Sequence, residues 1–339
     1  MRAVVYSETG PSSVLRLVDR EVPEPGPGEL RVRLVRAGVN PTDWKFRAGG
    51  TYAELPYDEI TPGQDGAGVV EAVGEGVLGF AVEDRVWLML AQHGRPYGTA
   101  AEQVVVPAEN AVHLPVGASY ELGASLGVPA VTAHRALTSG DVTRLAPGAL
   151  DGRTVLVHGG AGAVGNAAIQ LARWAGATVL TTVSSDEKAA LAIAAGAHQT
   201  VNYKVGDPAA EIEALAPDGV DLVVDVAPAV NNDLDRRVLR VHGTVAIYAN
   251  NGGDELTMPV RETFSKNLRY QFVLLYTLAP ELLRAAAEDI TAAIEVGALR
   301  VGEDAGVPLH HHALDDAAAA HDAVEQGAVG KVLLDLDHD

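Results

Sequence analysis

The chain has 339 residues, 47% of them hydrophobic and 21% charged, which fits a water-soluble globular protein of two domains. With 45 acidic against 25 basic residues its formal charge is −20, a balance that repels nucleic acid and anionic lipid whether or not it reflects a saline habitat. It contains no cysteine, which excludes disulfides, iron–sulfur clusters, thiolate nucleophiles and cysteine-bound zinc, and no run approaches the roughly 20 apolar residues of a membrane span.

The N-terminus, MRAVVYSETG, lacks the regions of a signal peptide and reads as a strand, so a cytoplasmic protein is expected. From Met1 to about Val106, β-type runs (ELRVRLVRAGV, GAGVVEAVG, DRVWLML) are punctuated by Pro and Gly, the pattern of a coiled β domain with short helices. From Ser125 to Arg269 strands and helices alternate, with strands predicted at 154–158, 178–183, 199–202, 221–225, 243–248 and 270–275. Short apolar strands separated by helices predict an α/β fold with a parallel, doubly wound sheet. Helices are predicted near 280–296 and 315–326, then a closing strand in GKVLLDL. Between them His310, His311 and His312 read as a surface loop, because adjacent histidines point in different directions and chelate poorly without other ligands.

The most informative stretch is VLVHGGAGAVGNAAIQLA, residues 155–172. A strand ends at His158, read as structural, and an amphipathic helix begins after Gly162. Gly160-x-Gly162-x-x-Gly165 matches the dinucleotide fingerprint: one glycine for the tight turn, one for close approach of a pyrophosphate, one for helix–strand packing. The helix N-terminus offers unpaired N–H groups and a partial positive charge to the phosphates. At the end of the second strand an NAD site would carry an acid for the ribose hydroxyl, whereas this chain has Ser184 and Ser185, with Lys188 one turn on. Asp186 and Glu187 suit the first turn of a helix, with Ser184-x-x-Glu187 as a capping box. Two hydroxyls and a lysine fit a 2′-phosphate, so NADPH is the expected cofactor.

Motifs spread over nearly the whole chain (RAGVNPTDWKFRAG, TPGQDGAGVVEAVGEGV, GASLGVPAVTAHRAL, VLVHGGAGAVG, GVDLVVDV, GAVGKVLLDL) resemble the medium-chain dehydrogenase/reductase superfamily, and within it the zinc-free quinone oxidoreductase branch of zeta-crystallin and enone reductase relatives. The resemblance implies a GroES-like catalytic domain built from the chain ends, 1–124 and 270–339, around a Rossmann domain at 125–269. Zinc-dependent members carry cysteine where this chain has Asn40, and a His-Glu pair where it has Gln64-Asp65; Asn and Gln are poor zinc ligands, so no metal site is expected.

Carried over position by position, the resemblance places Asn40 and Thr132 near the nicotinamide, and Gly162, Ala163 and Val164, within the Gly160–Gly165 turn, along the pyrophosphate. Ser184, Ser185, Lys188 and Tyr203 would meet the 2′-phosphate. Asn250 and the Leu274, Leu275, Tyr276 segment would border the cofactor or cleft, and Gly330 and Lys331 match a C-terminal cofactor contact. Lys45 stands where many quinone oxidoreductases have tyrosine; it would polarise a substrate carbonyl, or be a solvated surface lysine. Trp44, Phe46 and Tyr52 would form an apolar wall or pack the core.

The expected activity is NADPH-dependent reduction of quinones or α,β-unsaturated carbonyls by direct, zinc-free hydride transfer. Two alternatives are an NADPH-binding sensor or RNA-binding protein with little turnover, and a 2-enoyl thioester reductase, which would need a basic entrance that the sequence does not display. The β-prone run 269–278 would be the last Rossmann strand and pair with its mate in a homodimer, since an uncovered edge is a hazard.

Overall fold

Along Glu29–Val39 buried and less buried residues alternate, and this long strand organises the N-terminal β region in the computed structural model, which describes residues 1–50 and 55–336. One compact unit comprises Met1–Val128 and Leu309–Asp339, the other Pro129–Pro308.

In the first unit β1 (Arg2–Val5) and β2 (Arg16–Asp19) form an antiparallel ribbon. β3 (Glu29–Val39) is followed by helix α1 (Pro41–Arg47), and then by β4 (Asp65–Val73), β5 (Arg85–Leu88), β6 (Gln103–Pro107), β7 (Ala111–His113) and helix α2 (Tyr120–Gly123). β3 pairs antiparallel with β4 and β6, β4 with β5, and β5 with β7. Val32, Leu34, Val70, Val86 and Val104 from these strands meet in one buried cluster.

The second unit opens with most of helix α3 (Gly127–Leu137) and then alternates β8 (Thr154–His158), α4 (Ala163–Trp174), β9 (Thr178–Val183), α5 (Asp186–Ala194), β10 (Gln199–Asn202), α6 (Pro208–Leu215), β11 (Val220–Asp225), α7 (Pro228–Val238), β12 (Leu239–Ile247), α8 (Val260–Ser265), β13 (Arg269–Phe272) and α9 (Pro280–Glu295). All six strands are parallel, in the order β10-β9-β8-β11-β12-β13. Helices cover such a sheet on both faces, which is why Leu156, Val157, Val223, Val224 and Val245 are buried without alternation. Each such side chain contributes about 1.5–3 kcal/mol by leaving water. Strand order reverses between β8 and β11, the switch point outside which open α/β sheets bind ligands.

The chain returns to the first unit through β14 (Leu309–Ala313), α10 (Ala317–Glu325) and β15 (Lys331–Asp335). β15 pairs antiparallel with β3, and β14 lies parallel to β15 at the sheet edge.

Three expectations are corrected. The histidine triplet is strand β14, not a loop; His310 bonds the Val329 carbonyl and His311 the Asp335 carboxylate, both at 2.8 Å. The run at 269–278 is a strand only over Arg269–Phe272, then turns through Leu275–Thr277 into α9. The unit boundaries fall at 128/129 and 308/309 rather than at 124/125 and 269/270. The physical ties explain both: the Val128 N–H donates to Asp65 in the first unit, while Asp289 of α9 accepts from Arg144 and the Leu145 N–H in the second.

Candidate functional site

The glycine turn forms where β8 runs into α4. Gly159, at φ +70°, makes the left-handed turn, so that role falls one residue before the Gly160 expected to hold it. A Cβ on Gly160 would lie 2.2 Å from the Thr181 hydroxyl, and one on Gly165 would lie 2.4 Å from the Gly159 carbonyl; both glycines serve close packing. Gly162 differs: its nearest protein neighbour would be 3.4 Å away. Among the described residues no neighbour therefore requires glycine at 162, whereas a ligand lying over the backbone would. Gly162 is also the N-cap of α4 and, among the described residues, no side chain caps that helix. The first amides, at Ala163, Val164 and Gly165, are thus left to an anion.

Beside the turn, β9 ends at Val183, and the Tyr203 N–H donates to the Val183 carbonyl. This bond gathers Ser184, Ser185, Lys188 and Tyr203 at the ends of β9 and β10. Tyr203 is exposed; both serines and Lys188 are partly exposed. The helix cap is Ser185, not the expected Ser184: its hydroxyl accepts from the Lys188 N–H at 3.4 Å and, with a backbone amide, holds the exposed Glu187 carboxyl below its usual range. Ser184 and the Lys188 ammonium have no hydrogen-bond partner among the described residues. Lys204, exposed next to Tyr203, is a further cation here that the motif reading passed over.

In the first unit Asn40, the N-cap of α1, sits in a fully buried polar group. Its backbone N–H donates to the Asp43 carboxylate at 2.7 Å, and its Nδ2 to Asp65 Oδ2 at 2.7 Å. Lys331, the first residue of β15, donates through Nζ to Asn40 Oδ1 at 2.7 Å and to Asp65 Oδ2 at 3.3 Å. The Val128 N–H takes the other Asp65 oxygen at 2.7 Å. Burial pushes the Asp65 carboxyl up and the Lys331 ammonium down, while each holds the other charged. Burial also raises Asp43 to about 7, against the opposing Asn40 N–H.

The positions of the expected zinc ligands thus hold an amide, Asn40, already bonded to an ammonium, and Gln64, whose Nε2 donates to Gln92 at 2.9 Å. With no cysteine in the chain, this donor set does not fit zinc.

Of the other expected residues, Thr132 is buried in α3 and Lys45 is half-buried on α1, its Nζ 5.9 Å from the Trp44 ring centre. Asn250 is exposed after β12 and bonds Asp254; Leu275 is buried and Tyr276 half-buried after β13. Gly330, at φ +108°, leads into Lys331. Tyr52 lies outside the described residues. Sequence reasoning missed Asp43 as a partner of Asn40, although Asn-x-x-Asp at the head of α1 was a readable capping signal; Asp65 had been weighed only as a zinc-ligand position.

No helix among the described residues is long and apolar enough to cross a membrane. Residues 26–116 match the alcohol dehydrogenase GroES-like domain family and residues 163–292 the zinc-binding dehydrogenase family. The quinone oxidoreductase of Lama guanicoe is 33% identical over 340 residues, covering 98% of this chain and 97% of that protein. A solved NAD-dependent alcohol dehydrogenase superposes with a TM-score of 0.87 at 32% identity, covering 99% of this chain and 100% of that one. The Escherichia coli quinone oxidoreductase complexed with NADPH gives 0.82 at 25% identity, covering 98% and 99%. Similar from end to end to quinone oxidoreductases and folded as a GroES-like unit with a parallel Rossmann sheet, the chain belongs to the medium-chain dehydrogenase/reductase family of oxidoreductases.

Proposed function

We propose that this protein is an NADPH-dependent reductase of quinones, and of related α,β-unsaturated carbonyls, that works without zinc. The observation that carries the reading is the open Gly162 turn beside Ser184, Lys188 and Tyr203, with no acid at the end of β9. When bound, NADPH supplies the hydride. The chain's residues do the rest. The α4 amides take the pyrophosphate, and Ser184 with the Lys188 ammonium takes the 2′-phosphate. Ser185 is already engaged as the cap and contributes less.

Asn40, the residue proposed for the nicotinamide end, has its side-chain amide fixed in orientation by Lys331 and Asp65. Lys45 offers an ammonium to the oxygen of the acceptor as negative charge builds there. Full-length quinone oxidoreductase relatives, the zinc-poor donor set and the solved NADPH complex of a relative support this reading. The −20 charge supports a small-molecule partner over nucleic acid. Exposed Phe272 and Leu274 at the β13 edge support a homodimer joined there.

The test is loss of NADPH absorbance with purified protein against a quinone and against an alkyl enone, with NADH as control. Faster turnover with NADPH is expected, and Lys188→Ala should raise the NADPH KM about tenfold while leaving that for NADH unchanged, the loss of one charge-assisted contact. Consumption of NADH in preference, unaltered by Lys188→Ala, would contradict the cofactor assignment.

A further inference from the structure

A second buried polar group lies directly beneath the glycine turn. His158, the last residue of β8, uses both ring nitrogens: Nδ1 bonds the Thr182 hydroxyl at 2.8 Å and Nε2 bonds Asp235 Oδ1 of α7 at 2.7 Å. Asp225, the last residue of β11, accepts through Oδ1 from the Ala227 N–H at 2.9 Å and from Asn231 Nδ2 at 2.7 Å. The remaining oxygens, Asp225 Oδ2 and Asp235 Oδ2, are buried and have no partner among the described residues. His158 and the two aspartates converge, with one ligand-type atom from each within 4.8 Å of the others.

Two buried carboxylates with unpartnered oxygens repel each other strongly unless a donor stands between them. Among the described residues no donor reaches either free oxygen, and a proton shared between them removes the repulsion. A metal ion is the poorer occupant, because the 2.7 Å contact from His158 to Asp235 is a direct hydrogen bond that leaves no room for an ion between them.

We propose that Asp225 and Asp235 share a proton, that with His158 they position the Gly159–Gly165 turn and the loop after β11, and that the anionic dinucleotide therefore binds with net proton uptake. The inference rests on the cofactor reading above. His158 immediately precedes Gly159, and Asp225 fixes the Ala227 amide, so the group holds the two chain segments that leave β8 and β11 at the switch point. Phosphates arriving at the α4 N-terminus add negative charge nearby and favour the protonated group.

Other titratable groups facing the pair are tyrosines. Tyr248 follows β12 and faces Asp225; Tyr270 on β13 faces both aspartates, and also feels Arg236 and Asp233 on α7. Both tyrosines are pushed up by burial and stay protonated at neutral pH. Burial, with Asp225 adding and His158 opposing, raises Asp235 to about 6. Burial works against the His158 charge, but Asp235 and then Asp225 outweigh it and raise its pKa. Burial thus favours a proton on the Asp235 side of the pair, and added negative charge nearby favours it further.

The test measures dinucleotide Kd between about pH 6 and 8, and binding heat in two buffers of different ionisation enthalpy. NADH is the key probe, because the 2′-phosphate of NADPH itself titrates at about pH 6. Uptake of about half a proton weakens NADH binding about threefold per pH unit. In Asp235→Asn, which keeps an oxygen for His158 and gives an amide hydrogen to Asp225, the NADH slope vanishes and only the 2′-phosphate contribution to NADPH binding remains. A flat NADH profile in the unaltered protein, or the same slope in the variant, overturns the proposal and leaves the cofactor reading standing. Failure of both dinucleotides to bind overturns both. Should the variant not fold, the two-buffer heats on the unaltered chain decide alone: no uptake overturns the proposal.

Discussion

Lys331 is an ammonium at 2% exposure, and its position is tolerable only because Asp65 and Asn40 meet it. Removing it strands the Asp65 carboxylate in the interior. Lys331→Met is therefore expected to destabilise the protein by about 3–5 kcal/mol, and Lys331→Met with Asp65→Asn to recover most of that loss. Denaturant unfolding of the two variants checks it; equal losses would mean that the pair is not coupled. This network was not legible in the sequence, because its members are up to 291 residues apart and spacing carries no information over that distance. The resemblance marked Asn40 and Lys331 as cofactor neighbours, while the structure adds that they bond each other. His158 was read as structural, but its partners Asp225 and Asp235 become visible only once β8, β11 and α7 are side by side.

At the level of elements, the turn from β8 to α4 separates glycines needed by the fold from the one left open to a ligand. Gly165→Ala forces a Cβ against the Gly159 carbonyl and should cost about 1–3 kcal/mol of stability. Gly162→Ala should change stability by about 1 kcal/mol or less, yet weaken NADPH binding about tenfold or more by displacing the pyrophosphate. Thermal melts and Kd values on both variants separate these outcomes; a Gly162→Ala protein that binds NADPH normally would remove the turn from the site.

The parallel strands were readable to within a few residues, most directly β8, β9 and β11, which are short, largely buried apolar runs, as in TVLVHGG. β14 was not, since His-His-His has no strand signature and is held as a strand by pairing with β15 some twenty residues on. The cap of α5 was missed by one residue, because adjacent serines satisfy the same pattern and only the Lys188 N–H distinguishes them.

For the whole molecule, a β-rich unit made from both chain ends encloses in sequence a complete parallel α/β unit. Motifs along the chain made that arrangement legible; the exact return point was not, because it depends on α9 being tied to the second unit through Asp289. The absence of cysteine and an Asn40 amide already bonded to the Lys331 ammonium fit the chemistry proposed above, hydride passed from NADPH to a quinone without a metal. The most direct test is turnover of a quinone with NADPH deuterated at one or the other C4 position, in the presence and absence of a chelator. The account predicts slower turnover with one epimer only, unaffected by the chelator. Loss of activity on chelation, or no isotope effect with either epimer under single-turnover conditions, would contradict it.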